Sequence, residues 1–221
     1  IDRSQWLAVV GGSGAGKSTL LRAMMGLKRP ARPTGGEMWF DGAHRRFGES
    51  GYFRPKGMSF VPQSPAHGYD PLRRLRWQMA QLARRLKGAQ TDTTMLLDML
   101  SLPDPAARYP HQWSRGMQQR LLLAMALMGE PSLLILDEPT SALDPLIAAQ
   151  VLQEVHRIMT ARNIAVVMVT HDLALAARYA TSIAIMDQGR IVESGPTELV
   201  LSQPKTAYAH ELVAHRHWHT A

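Results

Sequence analysis

Near the start of the chain, Gly11-Gly12-Ser13-Gly14-Ala15-Gly16-Lys17-Ser18, followed by Thr19, fits the pattern G-x-x-x-x-G-K-S/T. The glycines let backbone N–H groups turn toward one point, and such a nest at a helix N-terminus attracts phosphate oxygens. Lys17 is placed to reach the terminal phosphates of a nucleotide, and the Ser18 hydroxyl to ligate Mg²⁺. A chance glycine-rich turn would lack the strand before and the helix after that this chemistry requires. Both flanks are present: Trp6 to Val10 (WLAVV) reads as a short buried strand, and Ser18 to Met25 as a helix ending at Gly26.

A second set of acids stands far along the chain. Leu133-Leu134-Ile135-Leu136-Asp137-Glu138 is an apolar strand ending in two carboxylates. In a parallel sheet, ligands bind beyond the carboxyl ends of the strands. Asp137 is therefore expected to face the Mg²⁺ held by Ser18, and Glu138 to polarise an attacking water. Phosphoryl transfer needs mainly positioning and charge neutralisation, so these few groups nearly suffice for it. Alone, a strand ending in Asp-Glu says little, because turns are often acidic. Paired with the phosphate loop it points to nucleotide hydrolysis.

The elements that must hold these groups follow from the pattern. Residues 30 to 36 read as a loop, Glu37 to Phe40 as an edge strand with Asp41-Gly42 as its turn, and Met58 to Val61 as a strand closed by Pro62. Residues 64 to 130 carry helical patterns and few strand signals. From Leu133 strand and helix alternate again. Asp144 caps a helix with Pro145 at its first position, and Val151, Leu152, Val155, Ile158 and Met159 fall on one face of it. Ile164 to Val169 is a buried strand, Leu173 to Tyr179 a helix, and Ile183 to Met186 with Ile191 to Glu193 a hairpin around Gln188-Gly189. Alternation of this kind predicts an α/β fold with a mostly parallel sheet covered on both faces.

Composition sets outer limits. The chain has 221 residues, 45% of them hydrophobic, and suits one domain with an inserted subdomain. It contains no cysteine, which rules out a disulfide framework and a thiolate metal site. The longest strongly apolar run, Leu121 to Met128, is too short to span a bilayer and ends at Gly129-Glu130-Pro131. No signal peptide is visible, so a membrane role is expected to go through a partner. Net charge is +7, with Arg73, Arg74, Arg76, Arg84, Arg85 and Lys87 forming a basic cluster. That cluster suits docking near anionic lipid. Nucleic acid is not expected as a partner, the basic residues being read as lacking interleaved stacking aromatics.

Taken in order, the motifs resemble the ABC ATPase family over nearly the whole chain. The phosphate loop comes first. Gln63 matches the family's Q-loop residue, which contacts Mg²⁺ and the attacking water. Ser114-Arg115-Gly116-Met117-Gln118, after Trp113, stands where the family has its S-G-G-x-Q signature. Asp137 and Glu138 match the Walker B pair, Ser141-Ala142-Leu143-Asp144 the D-loop, and His171 the switch histidine. The resemblance implies a P-loop NTPase core (residues 1–63 and 131–221), an inserted helical subdomain (64–130) and an antiparallel β edge. It implies ATP and Mg²⁺ as ligands and a head-to-tail dimer with two ATP molecules between its chains. The signature of one chain, Ser114, Arg115, Gly116, Met117 and Gln118 here, would complete the phosphate loop of the other. Glu138 would be the general base, His171 would steady the γ-phosphate, and Ser18, Gln63 and Asp137 would hold the metal.

Narrower likeness lies in three runs. Tyr109-Pro110-His111-Gln112-Trp113-Ser114, Gly189-Arg190-Ile191-Val192-Glu193-Ser194-Gly195-Pro196-Thr197 and Gln203-Pro204-Lys205-Thr206-Ala207-Tyr208 resemble segments of the peptide/nickel importer group. That implies an importer motor on the cytoplasmic face of a bacterial inner membrane, bound to permease subunits and a second ATPase chain. The cargo would be peptides, nickel or metal chelates, delivered by a periplasmic binding protein. A soluble ATPase of the carbon–phosphorus lyase kind is the alternative. Two departures stand out. Arg115 replaces a signature glycine: its charge attracts phosphate, its bulk obstructs close approach, and the expected net result is a weakened site within a heterodimer. Ile1 also stands only ten residues before Gly11, whereas the family has about two strands upstream with an aromatic that stacks on adenine. A truncated chain of reduced ATP affinity is the expectation. His210, His215, His217 and His219 are read as a solvated terminus rather than a metal site.

Overall fold

The computed structural model describes residues 1–27, 34–47, 56–86, 92–141 and 143–214. Among these residues, one sheet has six strands in the order β4 (Met58–Val61), β5 (Leu133–Asp137), β6 (Ala165–Val169), β1 (Trp6–Val10), β7 (Ser182–Asp187) and β8 (Arg190–Pro196). The pairs β4–β5, β5–β6, β6–β1 and β1–β7 are parallel, and β8 turns back antiparallel on β7. The antiparallel edge is thus the Ile183–Glu193 hairpin, lengthened at both ends. The segment read as an edge strand, β2 (Glu37–Phe40), pairs instead with β3 (Ala43–Arg46) in a separate two-stranded ribbon. β3, Ala-His-Arg-Arg, has no apolar alternation and is exposed along its length, which is why the sequence carried no sign of it.

Period-two side-chain alternation divides the core into two layers. Ala8, Val10, Leu134, Leu136, Val166 and Met168 face one side of the sheet, packed against α4 (Arg115–Leu127), α5 (Pro145–Ala161) and α6 (Leu173–Tyr179). Val9, Leu133, Ile135, Val167 and Val169 face the other, packed against α1 (Lys17–Met24) through Leu21 and against Phe40 of the ribbon. β5 and β6 are buried at every position. Each aliphatic side chain so buried contributes about 1.5–3 kcal/mol, so the central strands are the most strongly held part of the fold.

Between residues 64 and 130 the described elements are all helical: two short 3-10 turns (Pro65–His67, Pro110–Gln112), α2 (Leu75–Arg85), α3 (Thr93–Met99) and α4. The basic cluster lies on and before α2. Arg73 stacks over Trp77 at 4.9 Å and Arg74 over Tyr109 at 5.8 Å, while Arg76 pairs with Asp104. Trp77 stands inside the cluster itself, directly after Arg76, and folding adds Tyr109 over Arg74, so stacking aromatics do accompany these arginines, contrary to the expectation from sequence. Lys87 lies outside the described residues. After β8 come α7 (Thr197–Ser202) and α8 (Ala207–Ala214). No helix among the described residues is long and apolar enough to cross a membrane.

Candidate active site

Strand register places the chemistry on one edge. Val9 of β1 and Asp137 of β5 both pair with Val169 of β6, and Val61 of β4 pairs with Leu136. The four strands therefore end nearly level. The next few residues of each chain segment are the phosphate loop, Gln63, Glu138 and His171. Parallel strands lie about 4.8 Å apart, so groups leaving neighbouring strand ends are within side-chain reach of one another.

The loop leaves β1 through Gly11, whose backbone has φ 153°; a Cβ there would lie 2.1 Å from the Met186 carbonyl oxygen of β7. Only glycine fits so close to another backbone. Gly16, at φ 98°, opens α1 from a left-handed conformation. Lys17 is buried, and its ammonium donates to the carbonyls of Gly11 (2.8 Å) and Gly12 (2.9 Å). An ammonium carries three donors, so one N–H remains for a phosphate oxygen.

The Ser18 hydroxyl donates to Asp137 Oδ1 at 3.0 Å. Asp137 is 3% exposed. Burial holds its carboxyl above the ordinary range against the Ser18 hydrogen bond; the charge of Glu138 adds to the rise, and Arg22 and Lys17 oppose it. A hard divalent cation takes oxygen ligands, and a buried hydroxyl–carboxylate pair is a donor set suited to one.

Glu138 follows at φ 45°, left-handed, with its N–H donating to the Val169 carbonyl at 2.9 Å. A non-glycine residue there costs on the order of 1–3 kcal/mol. Both of its oxygens are held: Gln63 Nε2 donates to Oε2 at 2.9 Å, and His171 Nδ1 lies 3.3 Å from Oε1. Residues 13–19, Gln63, Glu138 and His171 line one cavity of about 470 Å³. Asp137 does not line this cavity but joins the group through its bond to Ser18, so the two carboxylates, the loop, the glutamine and the histidine expected from sequence lie together.

The five-residue signature run and Asp144 do not line that cavity. Ser114 caps α4, accepting from the Met117 N–H at 3.2 Å, and Asp144 caps α5, accepting from Ile147 N–H at 3.0 Å. Arg115 is the first helical residue, exposed and outside the positive-φ region, so it fits this backbone without strain. Ala142 lies outside the described residues. Two partners went unread in the sequence. Gln119, fully buried, donates to the Pro62 carbonyl at 3.2 Å and so ties the signature helix to the residue before Gln63. Tyr208 accepts from the Gly12 N–H at 2.8 Å. A glutamine on the buried face of an apolar helix was the available signal for the first; the second lies in the run Gln203–Tyr208 singled out above, which marks the residue but not its contact with the loop.

The family model described as ABC transporter matches residues 1–141. The chain belongs to the ABC transporter family. It is 36% identical over 221 residues to the dipeptide transport ATP-binding protein DppD of Lactococcus lactis, covering 94% of this chain and 63% of that protein. Against DppD of Escherichia coli it is 34% identical over 225 residues, covering 96% and 69%. The chain thus spans about two thirds of the length of these relatives. Among solved structures, the dimeric post-hydrolysis state of the ATP-binding cassette MJ0796 bound to ADP and Pi is similar, with TM-score 0.75, 27% identity and coverage of 89% and 87%. The family's fold, α/β with a mostly parallel sheet, is the fold seen here.

Proposed function

We propose that this chain binds and hydrolyses ATP, with Mg²⁺, as the motor subunit of a bacterial importer of the peptide class. The observation that carries the reading is the Glu138 carboxylate gripped between Gln63 and His171 at the mouth of the phosphate loop. The names of the relatives, dipeptide transport ATP-binding proteins, support the cargo class.

In this reading the N–H groups of residues 13–19 and the free N–H of Lys17 bind the phosphates. Ser18, Asp137 and Gln63 would hold Mg²⁺, which when bound would neutralise phosphate charge. Glu138 takes a proton from a water whose oxygen attacks the γ-phosphorus; the bond to the β-phosphate oxygen breaks, releasing ADP and phosphate. Gln63 and His171 keep that carboxylate aimed, and His171 contacts the γ-phosphate.

The signature lies off the cavity in its own chain, which favours a head-to-tail dimer in which Ser114 to Gln118 of one chain close the site of the other. The Ser114 oxygen accepts from its own helix, leaving the hydroxyl hydrogen for a γ-phosphate oxygen. Asp144, beside that interface, would cap its helix and contact the partner. That the similar MJ0796 cassette is dimeric supports a dimer here. Residues 64–130 would form a helical subdomain carrying the signature and meeting the permease, with 1–63 and 131–221 as the catalytic core. The complex would lie on the cytoplasmic face of the inner membrane and receive cargo from a periplasmic binding protein.

Mild-detergent purification of the full-length protein from its native cells tests the reading. Copurifying multi-span permease subunits and a second ATPase chain are the expected result. Recovery of soluble enzymes alone would sink the importer reading.

A further inference from the structure

We propose that Tyr208 and Glu193 form a clamp that sets the phosphate loop for nucleotide binding, making both positioning residues of the site; the proposal rests on the ATP reading above. The loop is gripped from behind at three points by the last third of the chain. Gly11 packs on the Met186 carbonyl, the Gly189 N–H donates to the Ala15 carbonyl at 3.0 Å, and the Gly12 N–H donates to the Tyr208 hydroxyl at 2.8 Å. The first two come from the β7–β8 hairpin, which the sheet already holds. The third depends on a side chain brought in by α8, far from the loop in sequence.

Gly12 is the residue on which the contacts converge. Its N–H is held by Tyr208, while its carbonyl accepts from Lys17 Nζ at 2.9 Å and from the Ala15 N–H at 3.3 Å. With both sides of its Cα fixed, the residue most free to rotate is locked, and the carbonyl that aims Lys17 is locked with it. A Cβ on Gly12 would lie 3.2 Å from the Tyr208 oxygen, so loop and tyrosine are fitted to each other.

What fixes Tyr208 is Glu193 of β8. Its carboxylate accepts from the Lys205 N–H (3.0 Å to each oxygen), the Thr206 N–H (3.0 Å) and the Thr206 hydroxyl (3.2 Å). The Thr206 oxygen in turn accepts from the Ala209 N–H at 3.2 Å, opening α8. Buried Ala209 and half-buried Tyr208 then pack on the main core. Three donors bonded to one carboxylate, on the two residues before Ala207, make a rigid mount for one tyrosine.

The test uses the full chain with Tyr208→Phe, which removes only the hydroxyl, and Glu193→Gln. Two quantities are read: MgATP affinity by calorimetry, and amide hydrogen exchange at Gly12 by NMR. Loss of one hydrogen bond predicts MgATP affinity about 3- to 10-fold weaker in Tyr208→Phe, with kcat at saturating ATP changed less than about twofold. Gly12 exchange should accelerate. Glu193→Gln should act in the same direction and add little once Tyr208→Phe is present, because it works through that hydroxyl. Unchanged affinity with unchanged Gly12 exchange, or additive effects of the two substitutions, would overturn the clamp. A wild-type chain that bound no MgATP would instead sink the ATP reading, and the Gly12 exchange rate would still decide whether Tyr208 holds the loop.

Discussion

Glu138 shows what a single residue is asked to do. It adopts a left-handed backbone that costs energy, directly after a fully buried strand, and spends both carboxylate oxygens on Gln63 and His171. Replacement by glutamine keeps the shape and removes the base. Glu138→Gln is expected to lower turnover by about 10²- to 10⁴-fold while MgATP still binds; single-turnover assays beside equilibrium binding check this. Turnover at the wild-type rate would remove Glu138 as the base. Arg115 poses the opposite question. It fits its own helix without strain, so any cost must arise where a partner's phosphate approaches. Arg115→Gly is expected to raise the hydrolysis rate of the assembled complex, and a rate that does not change would end the idea that this signature is a weakened one.

Elements carry the site by ending at the same level, and that much was legible. β1, β4, β5 and β6 stand where apolar runs bounded by glycine, proline or acid put them, and α5 begins at its Asp144–Pro145 start signal. The residues 63, 138 and 171 follow from those ends. What escaped reading depends on contacts that no local pattern announces. β3 is polar throughout and exists only as the partner of β2. Arg74 meets Tyr109, 35 residues on, through chain folding. The seating of α8 on Glu193 belongs to the same class and yields a prediction. Desolvation works to raise the Glu193 pKa, but the N–H groups of Thr206 and Lys205, the Thr206 hydroxyl and the Lys205 charge outweigh it, leaving it below the ordinary glutamate range. A carboxylate depressed on folding stabilises above its unfolded pKa and loses that contribution as pH falls through the folded one. Protection of the Lys205 and Thr206 amides should therefore hold at neutral pH and fade only below the pH range in which an ordinary glutamate titrates. Hydrogen exchange across an acid series checks it; protection lost already near pH 6 would mean that Glu193 is not the anchor.

At the scale of the whole molecule, the phosphate loop and the signature stand apart within one chain, and a dimer is the arrangement that would bring them together. Everything in that account depends first on nucleotide entering the cavity behind Lys17. The most direct measurement is calorimetric titration of MgATP into the full chain and into Lys17→Ala. The account requires saturable binding of one nucleotide per chain, weakened about 10- to 100-fold by the substitution, as expected for loss of a charged hydrogen-bond donor. Binding of equal strength in both proteins, or none in the wild type, would contradict it.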